Sequence, residues 1–284
     1  MKFFIVDAFS SRPFGGNTAG VAVLEQGTPF PADELMQHIA AELRYSETAF
    51  VIPSQNTGEF TTRYFTPAGE VDLCGHATIA TFGVLLSQGL VSEGEQCLNH
   101  TLAGDLQVTA GKQVMMQMAP ATLLPTAVDA ERLHRVMGAD ETMQCPTLPI
   151  EIISTGLPDI IMPVASLDAL HALRPDMDAL AHFSSELGVT GVHAFALSDD
   201  GFTAHARNFG PLYGVPEESA TGTASGALTH YLFRQGLVSR PGECRFMQGE
   251  AMGHPSVIET RLTPDGGIQV GGPCSIVAQG ELMI

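Results

Sequence analysis

CGHATIATFGVLLSQGLVS at residues 74–92 returns, about half a chain later, as TGTASGALTHYLFRQGLVS at residues 221–239. Without a gap, Gly75, Ala77, Ala80, Leu85, Gln88, Gly89, Leu90, Val91 and Ser92 stand opposite Gly222, Ala224, Ala227, Leu232, Gln235, Gly236, Leu237, Val238 and Ser239. Upstream, Arg63-Tyr64-Phe65-Thr66-Pro67 is answered by Arg207-Asn208-Phe209-Gly210-Pro211. Chance gives a few matches between two amphipathic helices, but not also a shared R-x-F-x-P in the same order. We read two copies of one fold, one per half.

Each copy has the same local grammar. A strand (60–65; 201–209) leads through a Pro-containing loop to a Gly and then to a helix that stops at Gly89 or Gly236. In the first copy Ile79, Phe82, Val84, Leu85 and Leu86 cover more than one helical face, so the helix is expected to be buried centrally. Short β-type segments surround it at 3–6, 20–24, 48–52, 107–110, 114–118, 150–154, 192–197, 256–261 and 268–271, with a hairpin turn at 110–112. Further helices are predicted at 32–43 and 127–138. The expected class is therefore α+β, with strands wrapped round a central helix in each of two similar domains. The boundary is expected in the loop 119–127, giving an N-terminal lobe over 1–120 and a C-terminal lobe over 121–274.

Composition narrows the function. The 31 acidic residues outweigh 13 basic ones for a net charge of -18, which argues against nucleic acid and against anionic membrane surfaces. A small anionic substrate stays open, because local backbone dipoles can outweigh a distant diffuse charge. No apolar run reaches the roughly 18 residues of a membrane span. The opening residues read as a strand rather than a signal peptide. The scattered cysteines Cys74, Cys97, Cys145, Cys244 and Cys274 suit free thiols in the cytoplasm. Lys2 and Lys112 are the only lysines, which makes Schiff-base chemistry an unfavourable reading. No HExxH, paired CxxC, P-loop or GxGxxG is present, so nothing in the chain asks for a metal or a cofactor.

The two Gly-led helix starts are the physical pointer to a site. Unpaired N–H groups and a partial positive charge there suit a carboxylate or an enolate-like charge. Structural capping is the plainer alternative. Cys74 and His76 flank Gly75: an imidazole can move protons near neutrality, and a thiol at a helix start tends toward thiolate. A buried Cys and a capping His would be the ordinary roles. At the matching positions Thr221 and Thr223 carry hydroxyls, so the pair of thiol bases that a symmetric racemase needs is missing. Glu47 leads into the apolar segment 48–52, where desolvation would raise its pKa toward general acid–base work. Glu217 and Glu218 would otherwise be first-turn charge for the second helix. Gly15-Gly16-Asn17 is a turn that can shape a binding loop.

These residues fall in blocks that resemble one family. VDAFSSRPFGGNTAGVAVL (6–24), SETAF (46–50), RYFTPAGEVDLCGHATIAT (63–81), STGLPDIIMPV (154–164), EESATGTASGAL (217–228) and QGEAMGHPS (248–256) are similar, in order, to signatures of the PhzF-like isomerases of phenazine biosynthesis. The resemblance implies the diaminopimelate-epimerase-like fold, in which mostly antiparallel, barrel-like sheets surround each central helix, with a last strand at about 275–284 crossing back to the first lobe. It further implies a homodimer, a cofactor-free reaction and a small-molecule substrate between the domains. Glu47 would be the proton shuttle, with His76 and Glu218 assisting. Asn17, Ser46, Cys74, Gly75, Thr221, Gly222 and Thr223 would hold the substrate. The chain departs from the family pattern at Glu218 (usually Asp), Ser219 (usually Pro) and His254 (often Arg), which bears on the substrate more than on the fold. Two other readings stand beside this one. Cys74 opposite Thr221 resembles the arrangement of proline-racemase-like dehydratases and would suit a Cys-dependent epimerase or dehydratase of a small amino or hydroxy acid. A metabolite-binding protein without turnover would keep the same fold.

Overall fold

A computed structural model describes residues 1–284. The chain divides into two units, one comprising residues 1–117 with 271–284 and the other residues 118–270. The first boundary therefore falls a few residues ahead of the expected 120/121. The second falls within a strand, Ile268–Gly272, rather than after residue 274.

The first unit contains β1 (Lys2–Ala8), β2 (Asn17–Val23), α1 (Asp33–Leu43), β3 (Thr48–Pro53), β4 (Glu59–Phe65), β5 (Glu70–Val71), α2 (Gly75–Ser87), β6 (Gln96–Thr101), β7 (Gly104–Thr109), β8 (Val114–Gln117) and, from the far end of the chain, β18 (Cys274–Glu281). The second contains β9 (Thr122–Leu124), α3 (Ala130–Val136), β10 (Glu151–Ser154), β11 (Pro158–Pro163), α4 (Leu167–Ala172), α5 (Met177–Leu187), β12 (Gly191–Leu197), β13 (Ala204–Gly210), β14 (Val215–Glu218), α6 (Gly222–Arg234), β15 (Gly242–Gln248) and β16 (Ser256–Leu262), after which β17 (Ile268–Gly272) carries the chain back.

Strand pairing repeats step for step. In the first unit β18/β1 and β1/β2 are antiparallel, β2/β3 parallel, β3/β4 antiparallel, β4/β6 parallel and β6/β7 antiparallel. In the second the same sequence runs β9/β10, β10/β11, β11/β12, β12/β13, β13/β15 and β15/β16. Both are sheet-dominated α+β units, mostly antiparallel, with a parallel step wherever a helix intervenes. The β9 strand lies in the stretch expected to be a loop, because it supplies the partner that β18 supplies to β1.

Helix burial follows the same repeat. From His76 to Leu85 every residue of α2 is buried, against β1, β2, β3, β8 and β18. Its hydroxyls are satisfied by its own backbone: Thr78 and Thr81 donate to the carbonyls of Cys74 and Ala77, each at 2.7 Å. In the second unit α6 packs against β10, β11 and β16. Both helices end in the expected way. Gly89 and Gly236 adopt φ 69° and 72°, and the next N–H closes back on Leu85 or Leu232 at 2.9 Å. The opposite sheet faces carry the amphipathic helices. Met36, Ile39 and Ala40 of α1 cover Phe3, Phe50 and Phe65, while Leu170 of α4 and Leu180 and Phe183 of α5 cover Ile160, Val192 and Phe209. The predicted helix over 127–138 is shorter, since the Asp129 side chain caps at the Arg132 N–H. No helix is long and apolar enough to cross a membrane.

Candidate active site

In the first unit, chain geometry gathers four of the expected residues round the imidazole of a fifth, His76. Asp7 pins the loop ahead of β2 by accepting from the Phe14 N–H (2.7 Å) and the Thr18 hydroxyl (2.6 Å). Gly16 completes that loop at φ 72°, where a Cβ would stand 2.1 Å from the Ala8 carbonyl. Asn17 is thereby delivered as the first residue of β2. Glu47 is fixed just ahead of β3, its carbonyl accepting from the Gly20 N–H at 3.1 Å. Cys74 and His76 come from the start of α2.

The His76 ring is 5 % exposed. Its Nε2 lies 3.1 Å from Glu47 Oε2 and 3.2 Å from Ser46 Oγ. Its Nδ1 lies 3.3 Å from Asn17 Nδ2 and 3.4 Å from Cys74 Sγ. Gly75 opens the helix, with no cap from the Cys74 side chain, and Cys74 is buried.

The electrostatics reverse two expectations. Burial would push Glu47 up, but the neighbouring imidazole, with hydrogen bonds from His76, Ser46 and Cys74, outweighs it and holds the carboxyl below its ordinary range. Burial opposes charge on His76, yet Cys74 and Glu47 raise it well above the usual histidine value. The resting pair is an imidazolium and a carboxylate. For Cys74, desolvation dominates and raises the thiol, so it does not tend toward thiolate despite the helix start. The ligand atoms of Glu47, Cys74 and His76 also lie within 4.8 Å of one another, a donor set that zinc accepts. Occupying it would require the thiolate that burial disfavours.

In the second unit Glu218, Thr221 and Gln248 form a connected group. The Thr221 hydroxyl donates to Glu218 Oε2. The Gln248 amide donates to the Glu218 carbonyl (2.8 Å) and to Thr221 Oγ1 (3.1 Å), and its oxygen accepts from the Thr221 N–H (3.3 Å). Gly222 begins α6, again without a side-chain cap from the preceding residue. Thr223 enters only through its carbonyl, which accepts from Thr155 at 2.8 Å. Glu217 and Glu218 lie on β14 and not in the helix's first turn. Glu217 is bound to Arg207 by two 2.8 Å contacts, as Glu70 is bound to Arg63 by two of 2.6 Å. The repeated Arg–Glu pair assigns Glu217 to the framework and leaves Glu218 for other work. Ser219 is buried and His254 exposed.

Sequence reasoning did not single out Gln248, or the buried Asp159. An acid inside the apolar run Leu157–Val164 is the signal that could have found the second. Both Asp159 oxygens are buried without a hydrogen-bond partner. Burial first, then Glu218, push its carboxyl up to about 7, against a pull from Asn208. The folded chain thus keeps a proton that the unfolded chain releases near pH 4. Stability is expected to fall as pH rises from about 4 to about 7 and then to level, a loss on the order of 4 kcal/mol. Asp159→Asn should remove that slope, so its urea midpoint should exceed the parent's at about pH 8 but not at about pH 4.

A two-unit α+β fold with a carboxylate–imidazole pair at a helix start has the groups that proton-transfer enzymes use. Comparison with known proteins makes this specific: over residues 6–280 the chain matches the phenazine biosynthesis-like protein family, PhzC-PhzF, and it belongs to that family as an isomerase. An uncharacterised isomerase of Deinococcus radiodurans is 35% identical, covering 98% of this chain and 94% of that protein. The trans-2,3-dihydro-3-hydroxyanthranilate isomerase of Pseudomonas fluorescens is 32% identical over 90% of this chain and 88% of its own. The crystal structure of a Bacillus anthracis PhzF-family protein superposes with a TM-score of 0.88 at 28% identity, covering 100% of this chain and 99% of the other.

Proposed function

We propose that this isomerase shifts a proton on a small, carboxylate-bearing metabolite, without a cofactor, and that Glu47 is the shuttle. The observation that carries the reading is the 3.1 Å pair between Glu47 and His76. It keeps Glu47 ionised, as a base must be, beside an imidazolium that can steady the charge developing on the substrate. Asn17, Ser46, Cys74 and the Gly75 helix end would orient the ligand in the first half. Glu218, Thr221, Gly222 and Thr223 would do so in the second. The family resemblance further supports a cytoplasmic location and a homodimer, the latter checked by light scattering on the purified chain.

The direct test is incubation in heavy water with trans-2,3-dihydro-3-hydroxyanthranilate, the substrate in the relative's name, and with a panel of small carboxylates. Deuterium at a carbon of any of these supports proton-shift chemistry. Binding with no incorporation anywhere in the panel would leave a metabolite-binding protein instead.

A Cys-dependent epimerase or dehydratase has one observation in its favour, the 3.4 Å contact of Cys74 with His76. The raised thiol counts against it. Accordingly, Cys74→Ala is expected to retain exchange activity within about tenfold, whereas loss of a catalytic base removes roughly 10²–10⁴. A loss of that larger size in the Cys74 variant would favour the thiol mechanism.

A further inference from the structure

Where the sheet of the second unit meets α6, four buried polar atoms have no hydrogen-bond partner: both carboxyl oxygens of Asp159 and Nε2 of His193 on the strands, and Oγ of Ser225 on the helix. These side chains are 1 %, 0 % and 0 % exposed. Register places the acid among its neighbours. Across the strands Ile161 pairs with His193, His193 with Asn208 and Asn208 with Glu218. Asp159 precedes Ile161 by two residues and so shares its face, opposite Gly191. Phe195, on that same face, sets its ring 5.5 Å from Tyr231 of α6.

The internal repeat shows what is unusual here. Matching Phe65 to Phe209 through the pairing registers sets Ala19 against Asp159, Glu47 against Gly191 and Tyr64 against Asn208. The helix repeat sets Val71 against Glu218 and Thr78 against Ser225. In the first unit the space is closed by Tyr64, whose hydroxyl is bonded to Thr78 (2.7 Å) and Asn99 (3.1 Å). In the second the shorter Asn208 reaches His193 Nδ1, at 3.3 Å, and pulls on Asp159 without outweighing its burial. Glu47 has a glycine as its counterpart, and the second unit carries its buried acid on the next strand, directly across from that glycine.

Two carboxyls on one face in a low dielectric do not both ionise readily. Glu218 has a hydroxyl donor in Thr221, whereas neither Asp159 oxygen has a partner at hydrogen-bond geometry and the pull of Asn208 is outweighed by burial. The charge therefore belongs on Glu218 and the proton on Asp159. The groups round Asp159 leave that balance alone. β10 offers Ile153, β13 the neutral Asn208, and the α6 counterpart position carries Ser225. On β12, burial lowers His193 to about 3, so it is uncharged. Glu218 on β14 is the charge that acts on it.

We propose that Asp159 is a positioning residue of the second half: held as a neutral acid, it forms with Glu218 a two-carboxyl pair bearing one negative charge, and so presents Glu218 as a single, Thr221-bound carboxylate at the start of α6. This rests on reading Glu218 as part of the site. When Asp159 loses its proton, a second negative charge repels Glu218 from that arrangement and works against a carboxylate-bearing ligand there.

The test is a pH titration of the full chain labelled with carboxyl-¹³C aspartate and glutamate, read by NMR and needing no substrate. Asp159→Asn assigns the aspartate signal. Asp159 is expected to titrate near neutrality, and its midpoint to fall by about a pH unit or more in Glu218→Gln. The Glu218 signal should move at the Asp159 midpoint in the parent and stay still in Asp159→Asn. An Asp159 midpoint in the ordinary aspartate range, or one unmoved by Glu218→Gln, overturns the proposal. A Glu47→Gln variant that still exchanged deuterium would instead sink the isomerase mechanism and leave this result standing.

Discussion

Glu47→Gln is expected to lower isomerase turnover by roughly 10²–10⁴-fold, the usual cost of losing a general base, with the thermal midpoint little changed. Gln keeps the size of the side chain and can still approach His76 and Ser46, but it cannot take a proton from carbon. The loss should fall on kcat, because the proton moves only in the transition state. The pH dependence carries the sharper signature. Glu47 must be ionised to act, and His76 holds it below the ordinary carboxylate range against the opposing effect of burial. Activity should therefore persist as pH falls through the usual glutamate range and decline only below it. In His76→Asn the imidazolium is gone while burial remains, so the acid limb should move upward. A limb that stays in place in His76→Asn would mean that Glu47 is not the titrating base. The measurement is kcat/KM against pH for any substrate found in the deuterium screen.

Arg207→Ala should be the most damaging single change to the framework, costing about 3–5 kcal/mol. Arg207 is 7 % exposed. It binds both Glu217 oxygens at 2.8 Å, donates to the Leu170 and Leu173 carbonyls at 3.1 and 3.0 Å, and stacks over Phe209 at 4.8 Å. Truncation strands a half-buried carboxylate and two carbonyls at once. Its repeat partner is the internal control. Arg63 makes the same pair with Glu70 and stacks over Phe65 at 5.2 Å, but its third partner, Asp33, is 75 % exposed. Water can replace much of what Arg63→Ala removes, so about 1 kcal/mol is expected there. Hydrogen exchange resolved along the chain would show each loss within its own unit. Arg207→Lys should recover only part of the difference, since an ammonium cannot copy the fork. Equal costs for the two alanine variants would refute the burial argument.

Much of this architecture can be read from local sequence. The repeat of residues 74–92 at 221–239 announces two equivalent units, and the all-round apolar helix starting at Gly75 announces its own burial. The α1 helix is legible from its spacing and from Asp33 and Glu34 in its first turn. Other elements are not. The strand β6 buries a polar Asn99, and β11 is bracketed by Pro158 and Pro163 and buried on both faces, so neither shows a plain alternating pattern. The helices α4 and α5 are short and separated by Arg174-Pro175, which hides the periodicity their combined length would show.

By itself, the sequence determines the duplication, the central helices and the residue types available for proton transfer, because these depend on contacts a few residues apart. Tertiary structure alone decides which of those residues meet and how they are charged. Glu47 reaches His76 only through the parallel pairing of β2 with β3 and the packing of α2 beneath them. That contact turns an expected rise in its pKa into a fall, since an ion pair at 3.1 Å outweighs burial. Asp159 shows the opposite outcome for the same physical reason: burial and a second carboxylate outweigh the pull of Asn208 and raise its carboxyl.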